Sequence, residues 1–367
     1  MTKSSKIARR IIQFSFIFWY IIFVIFNVEH IISATYITLA FLYLSIPKKN
    51  TITEQYLILP STKKILLLIV GLIAIINIPE LISRNVFINV GRVEDEISIA
   101  ENQIGTGRSL SSLIYFSFQL LPIVILDLYK KNWNISFLIL LFLFLMSGSS
   151  RGYISIVLLS VIFSRLIDYQ LKFNFKTLRK LVVYGFLIII FFTILSQLRD
   201  GLALNTLSII PLFLGFYYPG FNSNLLMEIG VEKNFLLLYK DLLLKFVPSV
   251  IYPEKEIFSF NIEMTYLIYD YMLSSGLGSI SVFTYVPEFL IYKPTILAVL
   301  LPALVLLFFY KFIFKICSRY NLNTTIIYIS LYTFIVLKSR VLDLISFLVF
   351  TLISLLLLTL INKIKRA

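Results

Sequence analysis

Four cations in this sequence stand where apolar runs end: Arg151 in FLMSGSSRGYISI (residues 144–156), Arg199 in SQLRDGL, and Lys338 with Arg340 in VLKSRVLDL. A guanidinium stays charged and presents a planar fork of N–H donors matched to phosphate oxygens. One such cation at a helix end is ordinarily a snorkelling side chain. Three arginines at a common membrane level fit an anion site instead. Carboxylates accompany them: residues 198–294 hold Asp200, Glu228, Glu232, Asp241, Glu254, Glu256, Glu263, Asp270 and Glu288, and a second acidic stretch occupies 83–109. These acids form either a solvated surface or the wall of a catalytic chamber. Aromatic residues of the long segment, among them Tyr217, Tyr218, Tyr266, Tyr269, Phe283 and Tyr285, suit a membrane interface or stacking against sugar rings. GTGRS at 105–109 reads as a flexible turn rather than an anion-binding loop. His30, next to Glu29, reads as part of a tight polar hairpin rather than a proton relay.

Composition sets the elements that must position these groups. Of the 367 residues, 59% are hydrophobic and only 14% charged, and the mean hydropathy is +0.92. A soluble protein of this size needs amphipathic helices with charged faces, and the charges for them are absent. Apolar runs of about 15 to 22 residues recur between short polar breaks, which is the pattern of repeated membrane crossings. The expected fold class is therefore all-α: a polytopic integral membrane protein with about 10 to 12 transmembrane helices and one large extracytoplasmic loop.

Spans are expected at 11–28, 30–47, 64–82, 110–129, 133–147, 152–167, 181–197, 295–316, 324–338 and 341–361. The segment 203–219 is interrupted by proline and glycine, and is either re-entrant or one arm of a hairpin with 234–251. Residues 1–367 read as a single membrane domain, with 198–294 as its large loop. The first apolar run follows the basic leader KSSKIARR without a small-residue cleavage site, and is expected to remain as a signal anchor. The single cysteine, Cys317, and the single histidine exclude an internal disulfide and a His/Cys metal cluster.

Charge orients the bundle. With the N-terminus inside, residues 1–10, 47–64, 130–131, 165–181, 311–320 and 362–367 face the cytoplasm, and so does the C-terminus. That face receives 21 of the 33 basic residues and, counting Asp127 just before 130–131 with Glu54 and Asp168, three of the 19 acidic ones, leaving 12 basic and 16 acidic residues outside. The positive-inside rule is satisfied. Net basicity then follows from topology and anionic lipid, and nucleic acid is not an expected partner. In this orientation Arg151, Arg199, Lys338 and Arg340 all emerge on the outer side.

MSGSSRGYISIVLLS at 146–160, GLGSISVFTYVPEFLIYKP at 276–294 within a large external loop, and SRVLDLISFLVF near the C-terminus together resemble the bacterial O-antigen and capsule repeat-unit polymerases of the Wzy type. The local likeness is the glycine- and serine-containing break Ser147–Gly152 ending in Arg-Gly, with a looser one in Gly276, Gly278 and Glu288. The resemblance implies inverting glycosyl transfer at the outer face of the bacterial cytoplasmic membrane. A glycan on undecaprenyl pyrophosphate would move onto a sugar hydroxyl of the next lipid-linked repeat unit, with no cofactor and no metal. It implies catalytic roles for Arg199 and for Glu288 or Asp200 as base, and pyrophosphate binding by Arg151, Arg340 and Lys338. Donor and acceptor glycolipids, membrane lipid, a chain-length regulator and a flippase are the implied partners. An O-antigen ligase shares this architecture and donor. A flippase or exporter of the same lipid-linked oligosaccharide would instead place ionisable residues mid-helix.

Overall fold

Helix α1 (Lys3–Phe26) starts inside the basic leader rather than at residue 11. Its residues Ala8, Ile12, Phe16, Trp19 and Phe23 recur every three or four positions and are buried, whereas Phe14, Ile17, Ile21 and Ile25 are exposed on the other side. A helix apolar all round, packed on one face only, is a helix whose second face meets lipid. In a computed structural model of the chain, residues 3–45, 56–83, 120–146, 151–168, 223–224, 227–246, 284–338 and 341–365 are described.

The elements that follow are α2 (Ile31–Ser45), α3 (Pro60–Ser83), α4 (Leu121–Leu128), α5 (Trp133–Met146) and α6 (Arg151–Asp168). Next come β1 (Lys233–Asn234), α7 (Phe235–Phe246), α8 (Tyr285–Leu290) and β2 (Tyr292–Lys293). The chain closes with α9 (Thr295–Arg319), α10 (Asn323–Val336) and α11 (Val341–Ile364). A single 3₁₀ turn, Val28–His30, joins α1 to α2 and contains the expected tight hairpin at His30. Among the described residues, four helical stretches are long and apolar enough to cross a membrane: Lys3–Phe26, Val28–Ser45, Thr295–Arg319 and Val341–Ile364. On α9 the residues Ile296, Leu300, Leu304, Phe308 and Phe312, four apart, are all exposed. Such an apolar stripe has no place in water and fits a lipid-facing surface. The expected span 181–197 and the segment 203–219 lie outside the described residues.

The two short strands pair in parallel, Lys233 opposite Tyr292 and Asn234 opposite Lys293. No alternating pattern announces strands of two residues, so tertiary contact alone creates them. They tie two parts of the long segment 198–294 together beside α9.

α10 is the axis of the bundle. It packs against α1, α6 and α4, and every residue from Asn323 to Ser330 is buried. Its first turn is held by Asp127, whose carboxylate oxygens accept from the Thr324 and Thr325 amides at 2.8 Å each and from the Thr325 hydroxyl at 2.7 Å. A helix start needs such acceptors for its orphan N–H groups. Asp127→Ala is therefore expected to lower stability by about 1–3 kcal/mol, because it strands buried donors, with Asp127→Asn less damaging. Thermal unfolding in detergent measures both, and an unchanged midpoint for the alanine variant would remove this role.

Hydrogen bonds gather six separate segments at this same end. Ser4 donates to Asn323 at 2.5 Å, and Asn323 also bonds Asp168. Lys130 and Asp168 form an ion pair at 2.7 Å. The Tyr56 amide donates to the Arg319 carbonyl at 2.9 Å. Asn362 accepts from the Leu59 amide and the Thr62 hydroxyl at 3.1 and 3.2 Å. Each of the six segments assigned to one side by charge contributes a residue.

Candidate functional site

The fourteen residues of α10 rise about 21 Å at 1.5 Å each, well short of the roughly 30 Å hydrocarbon layer. The helix starts at the bundle end just described and so stops inside the bundle. Trp19 Nε1 donates to the Phe334 carbonyl at 2.8 Å. Since Trp19 lies two turns before the end of α1, Phe334 sits about 10 Å below that end, and the turn that begins three residues later is also sunk below it. Leu337, Val341 and Leu342 in and after this turn are fully buried. Irregular backbone at such depth persists only where protein or a polar cavity surrounds it.

α8 supplies that surrounding. It packs on α1, α2 and α9, its Tyr285 amide donating to the Leu337 carbonyl at 3.2 Å. Glu288 is fully buried, and its Oε2 accepts from the Val341 amide at 2.6 Å. A carboxylate there meets the first orphan N–H of α11 and the positive end of its dipole. Lys338 is half-buried in the same turn. The Thr284 hydroxyl, one residue before α8, is buried and has no hydrogen-bond partner among the described residues.

Arg151 reaches the same level by register. α6 and α10 pack antiparallel, with Ser164 Oγ and Thr324 Oγ1 2.8 Å apart. Counting the same number of residues back along α6 and forward along α10 brings Arg151 opposite Leu337, roughly 20 Å from that contact. The site thus combines the α10–α11 turn and α8, with the start of α6 at the same level along the bundle. Arg199, Asp200 and Arg340 lie outside the described residues, although Arg340 directly precedes Val341.

No family model, curated protein or solved structure matches this chain. The site's chemistry must be read from its own residues. A buried carboxylate, a half-buried ammonium, a helix N-terminus and an unpaired hydroxyl, converging at the end of a lipid-embedded helix, fit a polar headgroup carried on an apolar chain.

Several expectations change here. Glu288 and Asp241 are fully buried, so these acids of 198–294 are not solvated surface, while Glu228 and Glu232 are exposed as the surface reading requires. Tyr285 is no exposed sugar platform. It is buried edge-on to Phe16 and Phe41, and its hydroxyl bonds Thr38 at 2.8 Å and the Phe16 carbonyl at 3.1 Å. Thr284 and the Val341 amide had escaped sequence reasoning. The one legible signal was Glu288 itself, a lone carboxylate in the otherwise apolar VFTYVPEFLIY. Among the described residues no group of His, Cys, Asp and Glu could hold a metal ion.

Proposed function

We propose that this protein polymerises undecaprenyl-pyrophosphate-linked oligosaccharide repeat units into surface polysaccharide by inverting glycosyl transfer. In this reading it has about 10 to 12 spans, and the segment 198–294 and the reaction site face outward from the bacterial cytoplasmic membrane. The observation that carries the proposal is the convergence of Glu288, Lys338 and the Val341 amide at a sunken turn level with Arg151. The glycosidic bond to pyrophosphate breaks as the acceptor hydroxyl oxygen bonds the sugar carbon. The hydroxyl proton passes to a carboxylate, and undecaprenyl pyrophosphate departs. Arg199, Arg151, Arg340 and Lys338 stabilise the departing anion, as fixed cations do best where charge develops. Glu288 takes the proton in preference to Asp200, because it is bonded to the turn that carries Lys338 and that turn is level with Arg151.

Deleting the gene and analysing the surface glycan tests the function. Loss of a polymerase leaves single repeat units at the surface. Accumulated lipid-linked polymer would indicate a ligase, and repeat units held inside the cell an exporter. The orientation makes its own prediction: reporters fused after Gln103 and Glu256 should read outside, and one fused after Lys176 inside. A cytoplasmic signal at Glu256 would invert the site.

A further inference from the structure

A cavity of about 620 Å³ opens at the other end of the bundle, among the start of α3, the end of α4 and the end of α9. Four cations line it: Lys63, Lys130, Lys131 and Arg319. Lys130 is paired with Asp168. The cavity's own carboxylate, Asp127, is committed to the first turn of α10 through both oxygens. Lys63, Lys131 and Arg319 therefore face the space with no carboxylate partner among the described residues. Arg319 is half-buried and held over the Tyr56 ring at 5.6 Å, and its carbonyl accepts from the Tyr56 amide. Apolar side chains complete the lining, with Leu57, Ile58, Leu128 and Leu322.

We infer that this cavity is a binding site for a phosphate group, presented by an anionic phospholipid. Three cations on three helix ends form a cup rather than a flat basic surface, and a guanidinium anchored on an aromatic ring loses little entropy on binding. The volume lies within the range of small-ligand pockets. Its apolar lining suits the glycerol and upper acyl carbons below a headgroup. The site is independent of the reaction proposed at the opposite end.

The test uses the purified full chain in an uncharged detergent, with binding read by native mass spectrometry and thermal shift. Phosphatidylglycerol should bind and raise the unfolding midpoint, whereas phosphatidylcholine should not. Each of Lys63→Gln, Lys131→Gln and Arg319→Gln should weaken phosphatidylglycerol by about tenfold or more, the value of one charge-assisted hydrogen bond. The triple control Lys6→Gln, Lys363→Gln, Lys365→Gln removes three charges, more than any single cavity variant, from exposed residues outside the cavity and should bind as the parent does. A shift with inorganic phosphate alone would identify free phosphate as a sufficient ligand of the same site. Equal losses in the cavity and control variants would reduce the cations to a general basic surface and overturn the site. So would the absence of any response to both anions. Where Arg319→Gln fails to fold, Arg319→Lys and the exposed Lys131→Gln carry the comparison.

Discussion

Glu288→Gln is expected to stop chain growth, leaving single repeat units, while the protein accumulates in the membrane at normal abundance. The amide oxygen of glutamine can still accept from the Val341 amide, now 2.6 Å from the carboxylate, so the turn and the start of α11 should keep their positions. What disappears is the capacity to take a proton from the attacking hydroxyl, worth about 10²- to 10⁴-fold in rate. Glu288→Ala also removes the acceptor from a fully buried amide, a loss of about 1–3 kcal/mol, and should lower abundance as well as polymer. Membrane abundance and the glycan ladder, measured on the same cells, separate the two effects. Wild-type chain lengths in the glutamine variant would pass the base role to Asp200. Glu288 would then be a positioning residue for the α10–α11 turn.

The second large effect is expected at Arg199. If its guanidinium grips the departing pyrophosphate through two parallel hydrogen bonds, Arg199→Ala should reduce polymerisation by about 10²- to 10³-fold, the usual effect of deleting a donor aimed at developing charge. Arg199→Lys keeps the charge but loses the planar fork, and should recover only part of that loss. Polymerisation of lipid-linked repeat units by isolated membranes gives both rates directly. A fully active lysine variant would show that a point charge suffices, and an active alanine variant would remove Arg199 from the site.

The helical, membrane-embedded character of this chain was legible from residue types alone, because the bilayer rewards long apolar runs whatever their neighbours are. The boundaries at 133, 295 and 341 could be read in the same way, since polar breaks mark them locally. The grouping of Ser4, Tyr56, Lys130, Asp168, Arg319 and Asn362 at one end also follows a local rule, as each segment carries its own basic residues. What stood outside the reach of sequence was depth. α10 looks like an ordinary short span, and only its packing against α1 and α6 shows where it starts and how far below the end of α1 it stops. The parallel pairing of Lys233–Asn234 with Tyr292–Lys293 and the burial of Tyr285 are likewise products of contact between distant segments. Glu288 shows the division most clearly. Its place in an apolar run marked it as unusual, but its partner is an amide 53 residues away, and a single chain's pattern holds no record of which distant backbone group a buried carboxylate will meet. That choice belongs to the tertiary structure, where a buried donor and a buried acceptor must satisfy each other because neither water nor lipid can.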